Sequence, residues 1–384
     1  MIIHDYHSLY VPLERAIELQ KHSKDEAERI ALSNYIGNLY DVMHNMGDEQ
    51  VPVDFRKVFP VKRQYKSFIR GINIYSDRLI QNYILNKDFH RQYFGEILPE
   101  VEESVNELCQ EEPVEDEALS KDDFFDILYF VFSSIGFNQE FDQFFQKGHI
   151  YASPSSQDVH NLGFTLYNPV NHDTDLFVNN FQYTYRDMST LIHEFGHGID
   201  LRRFTGNIDE YNQYFYESFF GEVLSRLMER ILHRYCIRNG ILVDRARDSY
   251  INFEDLNHDY LLSSYIISLL DKDFILSGGH MLDKNKDIMA KKVEKYFTSV
   301  GAIRDFMDGI DTFDISEIYT YAYGDILSMF LMDEVEREGF SSDLFQYFME
   351  KRHMLFQEDF MRECGFGPEN YLKSYRKEVE LIKK

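Results

Sequence analysis

The sequence has no tryptophan, and only three cysteines occur among its 384 residues. Cys109, Cys236 and Cys364 stand far apart without a paired spacing, so we expect reduced thiols, as is usual in the cytoplasm. No apolar run approaches the roughly 20 residues of a membrane-spanning helix. The first residues, Met-Ile-Ile-His-Asp-Tyr, have neither a basic lead nor a long apolar segment. These absences predict a cytoplasmic location and no membrane partner.

Positive charge is also scarce in this chain. It carries 40 Lys and Arg residues against 66 Asp and Glu residues, which gives a formal net charge of −26 at pH 7. Such a surface repels the phosphates of nucleic acids and anionic lipids, so the composition excludes a nucleic-acid partner. Because apolar residues make up 44% of the chain, we nevertheless expect a globular fold with a core.

Apolar residues recur mostly at helical spacing, which predicts a mainly α fold. Ser23-Lys24-Asp25-Glu26 has the form of a capping box for a helix that ends near Gly47. Further periodic stretches cover residues 63–85, 94–108 and 120–133. Between the last two, the acidic segment 111–117 predicts an exposed connection. We therefore divide the chain into an N-terminal helical region, residues 1–118, and a second region, residues 119–384.

Residues 150–185 differ from the rest, because β-branched and aromatic residues alternate there with turn formers. Leu162, Phe164 and Leu166 alternate with smaller or polar neighbours, and Leu176-Phe177-Val178 follows a turn-like segment. The pattern predicts a small antiparallel β-sheet immediately before the next helix.

The segment His193-Glu194-Phe195-Gly196-His197 has the pattern of a zinc site. Asp187 is a suitable N-cap for a helix that would carry this segment to about Arg203. Four residues apart, His193 and His197 project from one helical face, as two ligands of a single ion require. Glu194 lies about 100° further round, where it can accept a proton from water at the metal. The plainer interpretation is a pair of surface histidines on an ordinary helix.

Two glycines interrupt this predicted helix, Gly196 and Gly198. Each costs roughly 1 kcal/mol of helix propensity relative to alanine. We therefore expect a strand or another backbone to pack closely against the helix.

Two downstream glutamates compete for the place of a third ligand, Glu217 and Glu222. Both belong to a segment from Tyr214 to Glu229 that reads as one helix, on which they point about 140° apart. Glu217 has the spacing of thermolysin-like enzymes. Glu222 shares a face with Glu229, which could support the site from outside the ligand shell. Periodicity leaves the choice open.

The stretch from Arg186 to His197 resembles the signature of the oligoendopeptidase F and thimet oligopeptidase family of zinc peptidases. Glu222-Val223-Leu224-Ser225 is similar to the Glu-Val-x-Ser context of the family's third ligand, so the resemblance favours Glu222 over Glu217. It implies one Zn²⁺ per chain, held by His193, His197 and Glu222. It also implies a mainly α, two-lobed helical body with a central cleft and a small antiparallel sheet beside the zinc helix.

A third segment, Tyr319-Thr320-Tyr321-Ala322-Tyr323, resembles the tyrosine-rich part of the family, where hydroxyls face the developing oxyanion of the substrate. Tyr323 is the first candidate, and Tyr319 and Tyr321 are the others. Ordinary aromatic packing on a helix is the alternative. The chain departs from the family at Asp200, where another histidine is common, and it is shorter on the N-terminal side.

The resemblance implies a zinc metalloendopeptidase that acts on short, unfolded peptides. Glu194 would activate the attacking water, Glu229 and Asp187 would support the site, and the strand at Leu176-Phe177-Val178 would pair with the peptide backbone. One alternative is a catalytically silent peptide-binding protein on the same scaffold. Another keeps the enzyme class but uses Glu217 in a thermolysin-like arrangement.

Overall fold

The computed structural model describes residues 3–5, 9–45, 80–110, 113–147, 150–152, 163–171, 173–202, 220–276, 290–296, 312–351 and 355–384. Most of them are helical, which confirms the predicted mainly α class. None of the helices within these ranges is both long and apolar enough to cross a membrane.

The helices are α1 (Tyr10–His22), α2 (Glu26–Asn45), α3 (Lys87–Leu108), α4 (Lys121–Ser134), α5 (Asn138–Lys147), α6 (Tyr185–Leu201), α7 (Val223–Asn239), α8 (Val243–Leu269), α9 (Lys272–Leu276), α10 (Thr312–Glu338), α11 (Asp343–Lys351), α12 (Glu358–Glu363) and α13 (Pro368–Lys383). The strands are β1 (Ile3–Asp5), β2 (Ile150–Ala152), β3 (Gly163–Asn168) and β4 (Asp173–Val178).

The chain forms two compact units that are interleaved along the sequence. The first consists of Met1–Asn73, Pro113–Tyr216 and Leu224–Ser249, and the second of Ile74–Glu112, Glu217–Val223 and Tyr250–Lys384. The predicted division at residue 118 is a single cut along the chain. Because each compact unit is built from three separate segments, the two divisions cannot be compared directly, and the boundary at residue 118 stays a prediction.

The first unit contains a four-stranded sheet in the order β1-β2-β4-β3. β3 and β4 pair antiparallel, as predicted, with Gly163 opposite Val178 and Asn168 opposite Asp173. β2 pairs parallel with both β4 and β1, so the sheet is mixed rather than antiparallel throughout. Alternation along a strand shows which residues share a face, but it does not give the direction of the neighbouring strand.

β4 lies between β2 and β3, so both of its edges are already hydrogen-bonded. The predicted pairing of a peptide with Leu176-Phe177-Val178 is therefore wrong. Among the described strands, β3 is the outer strand on this side of the sheet. A peptide could add only to an edge of this kind.

The two faces of the sheet pack against different helices. On one face, Leu166 and Phe177 join an apolar cluster with residues of α1 and α2. On the other face lies Gly198 of α6, where an added Cβ would be 3.4 Å from Leu176 and 2.6 Å from the ring of Phe144 in α5. The close packing expected at Gly198 is confirmed, because no larger side chain fits between α6 and these neighbours.

Of two helix starts predicted from capping patterns, one is confirmed and the other is wrong. α4 begins as predicted, since the Ser120 side chain accepts a hydrogen bond from the backbone N–H of Asp123. α2 does not begin on a Ser23 cap. Instead, Asp25 Oδ1 accepts from the N–H of Ala27 at 2.8 Å, while Ser23 donates to the carbonyl of Asp25. A carboxylate is the stronger acceptor at this position.

Of three other predicted helices, the structure describes one completely and two in part. Residues 94–108 lie in α3, which begins earlier, at Lys87. Most of the predicted helix over residues 63–85 lies outside the described residues, as do residues 214–219 of the predicted helix that ends at Glu229. The described remainder of that helix begins only at Val223, and residues 220–222 form a turn.

The second unit packs α13 against α3 and α10. The hydroxyl of Tyr371 in α13 donates to Asp325 Oδ2 of α10 at 2.9 Å, and both residues are buried. Because the buried carboxylate needs this donor, the bond specifies how α10 lies on α13.

The start of α6 is held by a capping box. The Thr184 side chain accepts from the N–H of Asp187 at 3.1 Å, and Asp187 Oδ2 accepts from the N–H of Thr184 at 3.0 Å. Thr184 is thus the N-cap and Asp187 the third helical residue, so the prediction of Asp187 as N-cap is corrected. Asp116 adds two further acceptors, for the N–H groups of Tyr185 and Arg186. Asp116, which lies in the segment predicted only as an exposed connection, therefore stabilises the start of α6.

We predict that Thr184→Ala lowers the free energy of unfolding by about 1 kcal/mol, because the N-cap acceptor is lost. Thr184→Ser keeps the hydroxyl and should stay close to the original protein. Urea denaturation followed by circular dichroism measures both. Equal stability of the Ala and Ser variants would contradict this capping scheme.

Candidate metal centre

His193 and His197 lie one turn apart on α6, and both rings are partly buried. Their Nε2 atoms are 3.2 Å apart. Two imidazole nitrogens bound to one tetrahedral zinc at 2.0–2.1 Å lie about 3.3 Å from each other. The two rings therefore already have the separation that a shared zinc ion requires.

Glu229 of α7 orients the first of these rings. Its Oε2 lies 2.9 Å from Nδ1 of His193, so this nitrogen donates to the carboxylate and Nε2 is left as the ligand atom. Arg226 Nη1 and Ser189 Oγ each lie 3.3 Å from the same carboxylate group. Burial alone would raise the pKa of Glu229, but His193 and then Arg226 outweigh it, and the pKa is lowered. The carboxylate is thus held as an anion beside the histidine.

The distance between α6 and α7 is very small where Gly196 faces Ser225. A Cβ atom added to Gly196 would lie 2.5 Å from Cα of Ser225 and 2.8 Å from the carbonyl oxygen of Leu224. The predicted close partner of Gly196 is therefore a backbone, as expected, and it belongs to a helix. Only glycine permits this approach.

Glu222 lies in the turn that leads into α7, three residues before Ser225. One ligand atom from each of His193, His197 and Glu222 lies within 4.8 Å of the others. The three side chains can converge on one cation, because their donor atoms are two imidazole nitrogens and a carboxylate oxygen, which suit zinc. Glu217, the competing candidate, lies outside the described residues.

Glu194 points to β3, and its side chain is only 5% exposed. The Thr165 hydroxyl lies 2.7 Å from its Oε2, and an added Cβ at Gly163 would lie 2.5 Å from its Oε1. Alternate residues of a strand share a face, so Gly163 and Thr165 form one side of the space that holds the carboxylate. Sequence reasoning missed both residues, although the alternation around Phe164 would have put them on the same face.

The three candidate tyrosines of α10 differ in burial. Tyr319 and Tyr323 are fully buried, whereas Tyr321 is half-buried and stacks on Tyr260 with ring centroids 4.5 Å apart. The Tyr323 hydroxyl is hydrogen-bonded to Nδ1 of His90 at 2.6 Å. Burial raises the pKa values of Tyr319 and Tyr323 well above their ordinary value, so both hydroxyls stay protonated.

Gly324 follows these tyrosines and touches the candidate third ligand. A Cβ added to Gly324 would lie 2.6 Å from Cβ of Glu222 and 3.1 Å from its carbonyl carbon. Tyr321, three residues earlier, shares this helical face, whereas Tyr323 is turned about 100° away.

No family model matches the chain, and no curated protein sequence matches it. Two solved structures do. One is a crystal structure from Bacillus anthracis str. Ames, provisionally named an oligoendopeptidase F, with a TM-score of 0.53 and 14% identity; the match covers 96% of this chain and 68% of that one. The other, a 3.1 Å X-ray structure with the same provisional name, has a TM-score of 0.54 and 13% identity, with 96% and 69% covered. At these identities the likeness shows a shared fold.

We predict that Gly196→Ala destabilises the protein by about 1–3 kcal/mol, because backbone atoms of α7 occupy the space of the new methyl group. Without that clash, alanine would stabilise the helix by roughly 1 kcal/mol. Gly367→Ala is the matched control, since nothing lies within 4 Å of its Cβ position and its φ of −86° suits any residue. A Gly196→Ala variant as stable as the original in urea denaturation would refute the close contact of α6 with α7.

Proposed function

We propose that this chain is a zinc metalloendopeptidase that hydrolyses short, unfolded peptides. The observation that carries the proposal is that one ligand atom from each of His193, His197 and Glu222 lies within 4.8 Å of the others. Glu194 follows His193 on α6. The fold that the chain shares with structures provisionally named oligoendopeptidase F supports the same conclusion.

The charges around the centre favour a bound cation. Glu194 is 5% exposed and Glu229 is 9% exposed, and Glu222 is partly buried. A buried carboxylate is costly unless cations or hydrogen-bond donors compensate its charge. Arg226 lies beside Glu229, and the donor atoms of His193, His197 and Glu222 suit a divalent ion.

Zinc held there would polarise the scissile carbonyl and increase the acidity of the attacking water. Glu194 would accept the proton of that water on Oε1 and later pass it to the leaving nitrogen. Thr165, hydrogen-bonded at Oε2, would keep the carboxylate in one orientation. Glu229 would hold the His193 ring, and the Thr184–Asp187 capping box would hold the start of α6.

Among the tyrosines, we now propose Tyr321 rather than Tyr323 as the donor to the developing oxyanion. Tyr321 is half-buried and shares the helical face of Gly324, which touches Glu222. Tyr323 and Tyr319 are fully buried, and the Tyr323 hydroxyl is already bonded to His90. A donor must be able to reach a substrate oxygen in order to stabilise it.

The peptide would bind along β3 instead of β4, because β3 is the outer strand among those that the structure describes and carries Gly163 and Thr165 next to Glu194. Backbone pairing with such an edge requires an extended peptide, which supports short, unfolded substrates. We also propose a cytoplasmic location, since Cys109, Cys236 and Cys364 are all free thiols.

We predict that Glu194→Gln keeps bound zinc but loses about 10²–10⁴-fold in turnover, because the proton acceptor is gone. Glu222→Gln should weaken zinc binding by at least roughly 100-fold, since even an outer-shell partner is worth 10- to 100-fold. Zinc content by mass spectrometry and cleavage of a quenched fluorescent peptide library measure the two properties.

Glu217→Gln is the matched control and should keep both properties. Loss of zinc in Glu217→Gln, with Glu222→Gln unaffected, would support the thermolysin-like arrangement instead. An original protein that binds zinc and peptides without cleaving them would identify the catalytically silent binding protein. A protein that neither binds zinc nor cleaves any peptide would refute the proposed function.

A further inference from the structure

We propose that His90 of α3 is a positioning residue for Glu222, and that it acts through Tyr323 and Gly324 of α10. The inference rests on the proposed role of Glu222 as a metal ligand. All four residues belong to the second compact unit.

His90 is completely buried in a cage of aromatic rings. Its ring centroid lies 4.7 Å from that of Phe356, 5.0 Å from Tyr319, 5.3 Å from Tyr83 and 5.5 Å from Tyr323. Its hydrogen-bond partner among the described residues is the Tyr323 hydroxyl, 2.6 Å from Nδ1. Burial lowers the pKa of His90 to about 3, so the ring is neutral at physiological pH.

A histidine among these rings lowers the stability of the fold relative to an apolar side chain, because one of its ring nitrogens is buried without a hydrogen bond to any described residue. Nε2 of His90 is buried and has no hydrogen-bond partner among the described residues. Whichever tautomer bonds to Tyr323, Nε2 is left with either an unused proton or an unused lone pair. Phenylalanine would fill a ring-lined space without this penalty. The gain that offsets it is a directional bond, which specifies where Tyr323 lies.

The position of Tyr323 determines the position of Gly324, because the two are consecutive in the same helix. Gly324 in turn lies against Glu222, with its Cβ position 2.6 Å from Cβ and 3.2 Å from the carbonyl oxygen of that residue. One turn earlier, Thr320 Cγ2 lies 3.6 Å from the Cβ position of Gly221. The turn of residues 220–222 therefore rests on α10 at two points.

Close-packed contacts of this kind transmit displacement, since no free space absorbs it. If the His90–Tyr323 bond is lost, the ring of Tyr323 and the adjoining backbone of α10 can shift. Glu222 then loses the surface against which its backbone is placed. The carboxylate would still be present, but its oxygen would no longer be held at the position that a zinc ion requires.

The test is the zinc dissociation constant of the purified full chain, measured by competition with a chromophoric chelator. We expect His90→Phe and Tyr323→Phe each to weaken zinc binding roughly 2- to 30-fold, the range of couplings carried through packed contacts. The double variant should lose no more than either single variant, because both remove the same bond. His90→Gln, whose amide can reach the hydroxyl, should recover part of the affinity.

Tyr93→Phe is the matched control. Tyr93 is a buried ring on α3, and its hydroxyl has no partner among the described residues, so zinc affinity should not change. The visible spectrum of the Co²⁺-loaded protein gives a second readout, because its intensity reports coordination geometry and not stability. It should change in Tyr323→Phe and stay the same in Tyr93→Phe.

Unchanged zinc affinity in Tyr323→Phe, together with weak binding in Glu222→Gln, would overturn the positioning role but leave the proposed function intact. If the losses of zinc affinity in the double variant were additive, His90 and Tyr323 would not act through the same hydrogen bond, and the proposed link would be refuted. If His90→Phe fails to fold, Tyr323→Phe decides alone, since it removes a single oxygen. An original protein without zinc affinity would refute the proposed function and this inference together.

Discussion

A Cβ atom on Gly196 would lie 2.5 Å from Cα of Ser225, so α6 and α7 touch backbone to backbone at this point. The rest of the candidate metal centre depends on that contact. It places Glu229 of α7 beside His193 of α6, with Oε2 2.9 Å from Nδ1. If α6 and α7 moved apart by the width of one methyl group, Glu229 Oε2 would no longer lie within hydrogen-bond distance of His193 Nδ1.

The same principle recurs at three glycines around the site. Gly163 leaves room for Glu194, Gly198 for the ring of Phe144, and Gly324 for the backbone of Glu222. Each lies against an atom that a larger side chain would displace by more than its packing allows. The absence of a side chain at these glycines therefore positions Glu194, Phe144 and Glu222 as much as hydrogen bonds do.

The sequence contained enough to predict a helix with His193 and His197 on one face, since residues four apart on a helix are neighbours. It also predicted the β3–β4 pair and the start of α4 at Ser120, both of which the structure confirms. Local patterns of this kind depend on residues that are close in the chain.

Such local patterns do not predict contacts between segments that are far apart in the sequence. The parallel strands β1 and β2, the anchoring of α6 by Asp116 and the bond between His90 and Tyr323 each join segments far apart in sequence. The sequence could not distinguish Tyr321 from Tyr323 as the candidate donor for the same reason. Helical periodicity shows which residues of α10 share a face, but it does not show which face is buried.

We propose that His193, His197 and Glu222 bind one zinc ion. Zinc K-edge X-ray absorption on the protein loaded with one equivalent of zinc tests it most directly, because the spectrum reports ligand types and distances. We expect two imidazole nitrogens at about 2.0–2.1 Å from the zinc, with oxygen and no sulfur completing the shell. A shell that contains sulfur, or only oxygen, would contradict it.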